Sequence, residues 1–342
     1  MKKLRILPLL MAVIMSAACF TGCDKKGEMR DMTTVEIVND MGVGINLGNT
    51  FESSGMSLSS VKAYETSWGS PTITQKMIQG YADSGFGVLR VPVAWSNLMT
   101  GNYDIDPDYL ARVTEVIDWA LDTGMYVIVN IHWDGGWFSR FANEEDRDEC
   151  MYKYERIWTQ LSDHFKNYSD YLMFESLNEE GGWEEIWNRY SGEGDKELSF
   201  GILNDINQKF VDIVRNSGGN NKKRHLLIAG YNTDVELTCD ELFKMPDDPA
   251  GRCAVSIHYY TPSTFAILDK DASWGKARSE WGTDADYAEL NRNMDLLKTT
   301  FIDKGIPVIM GEFGTSTKTK TDEMIRKYLS SVCEAAYTRG IC

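Results

Sequence analysis

The amino-acid sequence predicts an α/β fold, the (β/α)8 TIM barrel, and three observations support this prediction. Short β-branched apolar runs alternate with amphipathic stretches long enough for helices, a pattern typical of parallel strands joined by crossover helices. Several amphipathic stretches end in glycine just before the next strand, as helix C-termini prefer. The first strand lacks the G-x-G-x-x-G turn of a dinucleotide-binding sheet, and no linker divides the chain.

The apolar runs predict seven strands, and the amphipathic stretches between them predict six helices. The strands are expected at residues 43–47, 88–91, 126–131, 172–177, 225–229, 254–258 and 308–310. The helices are expected at residues 72–84, 107–123, 144–165, 198–216, 286–304 and 321–339. By the same periodicity, an eighth strand should begin at Ile341, so we expect the rest of this strand and the last helix to be missing from the 342 residues. The alternative is that one strand elsewhere in the chain escapes this prediction.

The first residues have the features of an export signal. A basic start precedes an apolar run from Ile6 to Met15 that is too short for a comfortable membrane span. The segment ending at Cys23 resembles a bacterial lipoprotein box, with Phe20 in the place of the usual Leu. We therefore expect a signal peptide over residues 1–22, lipidation of Cys23, a polar tether over residues 23–31 and one barrel domain over residues 32–342. Cleavage after Ala18 with plain secretion is the alternative.

Composition excludes several classes of function. The chain has 35 Lys plus Arg against 51 Asp plus Glu, a formal charge of -16, which would repel a nucleic-acid backbone. The cysteines beyond Cys23 form no C-x-x-C pair, and none of the four histidines stands four residues from another. We expect neither a metal nor a cofactor.

Polar residues interrupt the apolar runs at the strand ends, where the functional groups of a barrel lie. Glu179 follows the fourth strand and Glu312 the seventh, so two carboxylates should meet at one mouth. Such a pair can cleave a glycosidic bond if its environments separate the two pKa values. Arg90 could keep one of them ionised, and we expect that one to be Glu312. The other polar residues that follow strands are His132, Asn178, His258 and Tyr260.

Six short segments together resemble the signatures of family 5 glycoside hydrolases, the large cellulase family. They are GINLGNT at 44–50, RVPV at 90–93, NIH at 130–132, LNE at 177–179, IHYY at 257–260 and GEFG at 311–314. WGSPT at 68–72 and WGTDA at 281–285 are similar to its bacterial endoglucanases, lichenases and xyloglucanases. The resemblance covers roughly residues 32–340, with Glu180 in the place of the family's usual Pro and no counterpart to its eighth-strand Trp.

The resemblance implies a role for each matching residue. Glu179 would be the general acid/base and Glu312 the nucleophile of a retaining double displacement. Arg90 and Tyr260 would hydrogen-bond the nucleophile, and Asn178 would meet the 2-hydroxyl of the sugar. His132 and His258 would line the same subsite.

Tryptophans in the predicted loops suit a sugar cleft, because flat apolar sugar faces stack on such rings. They are Trp68, Trp137, Trp183, Trp187, Trp274 and Trp281, about half of which are expected only to cover the rim of the barrel. We take Trp68, Trp137 and Asn46 as candidate substrate-binding residues.

The sequence thus predicts an exported, retaining endo-β-1,4-glucanase that acts on cellulose-like, mixed-linkage or xyloglucan polysaccharides. We expect a monomeric catalytic domain whose contact with the membrane is only through a lipid anchor. Two alternatives remain open: a β-mannanase, and a non-catalytic glycan-binding lipoprotein built on a degenerate barrel.

Overall fold

A computed structural model of the protein describes residue 27 and residues 29–342. Seven parallel strands pair in chain order to form one sheet, which curves into a nearly closed barrel. The strands are β1 (Gly44–Asn46), β2 (Val88–Val91), β3 (Tyr126–Asn130), β4 (Leu172–Glu175), β5 (Leu226–Ala229), β6 (Cys253–Tyr259) and β7 (Val308–Phe313). All seven predicted strands are present, and the barrel fold is confirmed.

Helices surround the sheet and connect successive strands. They are α1 (Thr34–Met41), α2 (Val61–Glu65), α3 (Gln75–Asp83), α4 (Pro107–Asp122), α5 (Arg147–Phe165), α6 (Lys196–Asn216), α7 (Val235–Thr238), α8 (Ser263–Ala266), α9 (Asp284–Thr300) and α10 (Asp322–Tyr337). The six predicted helices are all found, with ends shifted by a few residues, and a capping side chain marks the start of most of them. Thr74, for example, accepts a hydrogen bond from the Met77 N–H, so α3 begins at Gln75 and not at residue 72.

Helix α1, which the sequence analysis did not predict, covers the base of the barrel. Its apolar face contains Ile37, Val38 and Met41 and packs on side chains from the starts of the strands. Arg30, near the end of the predicted tether, donates a hydrogen bond to Asp170 at 2.9 Å. The base is therefore covered by an apolar helix and a partly buried ion pair.

Side chains inside the barrel form two layers, because alternate residues of a strand face opposite sides of the sheet. The lower layer is apolar and consists of Val88, Ile128, Met173, Leu227, Ala254 and Ile309. Two residues further along the strands, the upper layer is polar and contains Arg90, Asn130, Glu175 and Ser256, all buried. The apolar layer thus supports a polar layer that lies directly beneath the mouth.

The seam between β7 and β1 is where the predicted eighth strand would lie. Cys342 donates a backbone hydrogen bond to the Val308 carbonyl at 3.1 Å and accepts one from the Met310 N–H at 2.7 Å, as a parallel neighbour of β7 does. Within the described part of the chain, no ladder joins β7 to β1. The continuation of the eighth strand stays a prediction.

The signal peptide over residues 1–22 and the lipidation site Cys23 lie outside the described residues. In the part that is described, no helix is both long enough and apolar enough to cross a bilayer. The five cysteines of this part, Cys150, Cys239, Cys253, Cys333 and Cys342, are free thiols.

Candidate active site

Arg90 is the centre of the polar layer at the mouth. It is only 3% exposed, and its guanidinium donates to four acceptors. Nε donates to Glu175 at 2.7 Å and Nη2 to the Asn178 side-chain oxygen at 3.0 Å. Nη1 donates to Glu312 at 2.8 Å and to the Asn46 side-chain oxygen at 3.0 Å. One buried cation therefore orients groups from β1, β4 and β7 and from the loop after β4.

Glu312 is held as a carboxylate. Besides the bond from Arg90 to Oε1, its Oε2 accepts a hydrogen bond from the Tyr260 hydroxyl at 3.0 Å. Burial by itself raises the pKa of Glu312, but electrostatic interactions with His258 and Arg90, together with the Arg90 hydrogen bond, lower it to about 2. The expectation that Glu312 has a low pKa agrees with this environment.

An irregularity in the sheet brings His258 opposite Glu312. The pairing of β6 with β7 runs in register up to Ile257 and Met310, then skips Gly311 so that His258 pairs with Glu312. A Cβ at Gly311 would lie 3.1 Å from His258 Nε2 and 3.2 Å from Ser256 Oγ. Glycine therefore permits the close approach of the two strands at this bulge.

Glu179 lies across the mouth from Glu312 in a different environment. Its side chain is 45% exposed, compared with 18% for Glu312. One carboxylate oxygen of Glu179 lies 2.7 Å from Nδ1 of His258, and the same nitrogen is 3.7 Å from Glu312. His258 thus lies between the two carboxylates.

His132 and Asn46 complete the wall around Glu312. His132 Nε2 is 4.0 Å from the Glu312 carboxylate. Burial and the charge of Arg90 lower the pKa of His132 to about 3, so this imidazole is neutral at pH 7. Asn46 donates to the Gly311 carbonyl at 2.9 Å while it accepts from Arg90. Both residues are thereby held in place beside the nucleophile candidate.

These residues open into a cavity of about 880 Å³. Asn46, Arg90, His132, Tyr260 and Glu312 line its end at the mouth, and Trp68, 43% exposed, lies at the rim. From there the cavity extends along the seam between β1 and β7 to α10. Trp68 thus presents an exposed indole at the rim of the cavity, in a position where a ring of a sugar chain could lie against it.

The other tryptophans are placed differently. Trp137 is half-buried: its indole N–H donates to Asp134 at 2.6 Å, its ring stacks on Phe138 at 3.9 Å, and the Lys153 ammonium lies 4.4 Å from its centre. The structure does not place Trp137 in the lining of the cavity, and its role in substrate binding stays a prediction. Three loop tryptophans, Trp183, Trp187 and Trp281, are buried in the core, whereas Trp274 is 59% exposed.

The sequence analysis missed two carboxylates of the site. Glu175 is fully buried beneath Arg90 at the end of β4. Glu52 lines the cavity from the loop after β1 and accepts the Thr50 N–H at 2.9 Å. Burial raises the pKa of Glu52, and the negative charge of Glu312 adds to this effect. A charged residue within the apolar run of β4 was a detectable signal for Glu175; Glu52, in a loop, had none.

Three side chains of the mouth have the donor set of a metal site. Glu179, His258 and Glu312 each place one potential ligand atom within 4.8 Å of the other two. The same carboxylates are the candidate catalytic pair, and Glu312 is already paired with Arg90. The expectation that the chemistry needs no metal stays a prediction.

Two carboxyl groups in such different surroundings can divide the work of an acid and a nucleophile. One carboxylate oxygen of Glu179 and one of Glu312 lie within 4.8 Å of each other. This spacing suits the roughly 5–5.5 Å of retaining glycosidases and not the roughly 6.5–9.5 Å of inverting ones, which must admit a water molecule.

Replacing Tyr260 tests the electrostatics of Glu312 directly. A hydrogen bond to an ionised carboxylate stabilises the charged form, so Tyr260→Phe should raise the pKa of Glu312 by about one unit. An NMR titration of the Glu312 carboxyl carbon measures this shift.

The matched control is Tyr259→Phe. The adjacent residue faces the other side of β6 and should leave the titration of Glu312 unchanged. An unshifted titration in Tyr260→Phe, or an equal shift in both variants, would contradict the assignment of this hydrogen bond.

Comparisons with known proteins agree with this geometry. The chain is 36% identical to endoglucanase A of Ruminococcus albus over 320 residues, 92% of this chain and 84% of that protein. It is 35% identical to a xyloglucan-specific endo-beta-1,4-glucanase of Bacteroides ovatus over 89% of this chain and 61% of that protein. A lichenase of Caldicellulosiruptor sp. F32, solved with cellotetraose, superposes with a TM-score of 0.83 at 34% identity, covering 92% of this chain and 86% of the lichenase chain. The model of the cellulase family (glycosyl hydrolase family 5) matches residues 48–340, and the chain belongs to this family.

Proposed function

We propose that the protein is a retaining endo-β-1,4-glucanase in which Glu312 is the nucleophile and Glu179 the general acid/base. The observation that carries this proposal is the close pair of carboxylates of which one, Glu312, is held ionised by Arg90 and Tyr260. Glu179, more exposed and free of a bond from arginine among the described contacts, can exchange protons with the leaving oxygen and with water.

The reaction would proceed in two displacements. Glu312 attacks the anomeric carbon while Glu179 protonates the departing glycosidic oxygen, which leaves a glycosyl ester on Glu312. Glu179, now a carboxylate, then takes a proton from water, which attacks the same carbon and releases Glu312. Asn178, held by Arg90 through its oxygen, keeps its side-chain NH2 group available to donate to the sugar.

The proposed substrate is a β-1,4-linked glucan: cellulose-like, mixed-linkage or xyloglucan. An endoglucanase, a xyloglucan-specific endo-beta-1,4-glucanase and a lichenase each match most of this chain, and the lichenase was solved with cellotetraose. The exposed Trp68 at the rim of the mouth supports stacking of a sugar ring of the substrate there.

The nucleophile can be identified by trapping. A mechanism-based 2-fluoroglycoside should label Glu312 covalently, and peptide mass mapping locates the label. Glu312→Gln should lose several kcal/mol of transition-state stabilisation on a soluble glucan, because the covalent step is lost. A label on Glu179 would instead reverse the two roles.

The acid/base role predicts a dependence on the leaving group. Glu179→Ala should slow hydrolysis of substrates with poor leaving groups far more than of activated aryl glycosides, which depart without a proton. Added azide should restore turnover of the activated substrates and yield a glycosyl azide. Equal losses on both kinds of substrate would contradict the role of Glu179.

We also propose that the enzyme is exported and anchored through a lipid on Cys23. The basic start, the short apolar run and the cysteine after a small residue support this proposal. Cys23→Ala should release the enzyme from the membrane fraction of expressing bacteria and abolish incorporation of labelled palmitate. Labelling that persists in Cys23→Ala would place the lipid elsewhere.

A further inference from the structure

Glu175 is a buried carboxylate that the proposed reaction does not use. It ends β4 and is 0% exposed, with all its bonds made inside the barrel. Oε2 accepts from Arg90 Nε at 2.7 Å and from the Asn130 side-chain nitrogen at 3.0 Å, and Oε1 accepts from Ser256 Oγ at 2.7 Å. Glu175 does not line the cavity, so any effect on substrate must pass through another residue.

Arg90 is the residue through which Glu175 can act. A guanidinium group is planar, so fixing Nε also fixes the directions of both terminal nitrogens. In this orientation Nη1 bonds Glu312 at 2.8 Å and Nη2 bonds Asn178 at 3.0 Å. Without an acceptor for Nε, the group could rotate about its stem and lose one or both contacts.

The negative charge of Glu175 gives it a second way to act on Glu312 through Arg90. Arg90 is one cation between two carboxylates, Glu175 and Glu312, and both are within hydrogen-bond distance. Because Glu175 balances part of the charge of Arg90, the pairing with Glu312 is weaker than an isolated buried ion pair would be. A nucleophile held too tightly by its cation would attack more slowly.

We propose that Glu175 is a positioning residue for glycoside cleavage: it fixes the guanidinium of Arg90 so that Arg90 orients both Glu312 and Asn178. The inference rests on the proposed function, since it gives Glu312 the role of nucleophile. Glu175 would thus contribute to catalysis although it touches neither the substrate nor the reacting atoms.

The simplest competing explanation is that Glu175 only stabilises the barrel through its hydrogen bonds to neighbouring strands. The chain offers a matched control for this, because Glu65 is also buried and paired with an arginine. Glu65 bonds Arg112 at 2.8 Å and the Ile73 N–H at 2.6 Å, between α2, α4 and the loop before α3. Glu65→Gln therefore removes a buried ion pair that has no contact with Arg90.

A double-mutant cycle separates positioning from simple support. The variants are Glu175→Gln, Arg90→Met, their combination, Glu65→Gln and its combination with Arg90→Met. For each variant we would measure thermal unfolding, kcat and KM on a soluble glucan, and the rate of covalent labelling of Glu312 by the 2-fluoroglycoside.

Positioning predicts non-additive losses. Glu175→Gln should lower kcat by about tenfold to a hundredfold with little change in KM, and Arg90→Met should lower it by about a thousandfold. The combination of the two should be no slower than Arg90→Met alone. It should also unfold at a higher temperature than Arg90→Met, because it does not leave Glu175 buried without its cation.

The control should behave differently. Glu65→Gln should lower the unfolding temperature but leave kcat unchanged, in both the wild-type and the Arg90→Met backgrounds. A folded Glu175→Gln with wild-type kcat, or losses that multiply in the combination with Arg90→Met, would overturn the inference.

The wild-type enzyme separates this inference from the proposed function. If it is labelled at a residue other than Glu312, the proposed nucleophile is wrong; if it is labelled at Glu312 and the cycle is additive, only the role of Glu175 is wrong. Should Glu175→Gln fail to fold, Ser256→Ala is the second test. It removes the bond to Oε1 but keeps the charge, and should lower kcat a few-fold, whereas wild-type kcat would contradict the inference.

Discussion

The burial of Arg90 is the interaction on which the rest of the mouth depends. An arginine stays charged at any pH at which the protein folds, so placing it inside the barrel costs several kcal/mol unless acceptors surround it. Here two carboxylates and two amide oxygens accept its hydrogens, and they come from β1, β4, β7 and the loop after β4. The need to satisfy one cation therefore brings together strands that are distant in sequence. The apolar layer beneath, with Val88 and Ile128, excludes water from below and strengthens each of these bonds.

The same cation makes two chemically identical side chains unequal. Glu312 receives bonds from Arg90 and Tyr260 and remains ionised, while Glu179 lies at the surface beside His258. The difference is produced by placement alone, since both residues are glutamates, one in the loop after β4 and one in β7. The bulge at Gly311 matters here, because it brings His258 level with Glu312 and lets one imidazole lie between the two carboxylates. A barrel without this irregularity would place His258 one position lower on the sheet.

Much of the fold and the site could be predicted from the sequence because both depend on local patterns. The strands were predicted from apolar runs, and Glu179, Glu312, Arg90 and Tyr260 from polar residues at the ends of those runs. Helix α1 was missed because its apolar residues are few and its partners are strand starts far along the chain. For Trp137 the structure adds contacts that the sequence did not indicate, since Phe138, Lys153 and Asp134 surround its ring, and its role in substrate binding stays a prediction.

The sequence by itself determined that this is a barrel of alternating strands and helices and that two glutamates meet at its mouth, since hydrophobic periodicity and strand ends are encoded locally. Only the tertiary structure decided that Glu175 lies beneath Arg90, that His258 lies between the two carboxylates, and which tryptophans remain exposed. Those properties depend on hydrogen bonds and burial between residues tens to hundreds of positions apart, such as Arg90 and Glu312. The electrostatic environment of a side chain is set by its neighbours in space, and no local pattern specifies them.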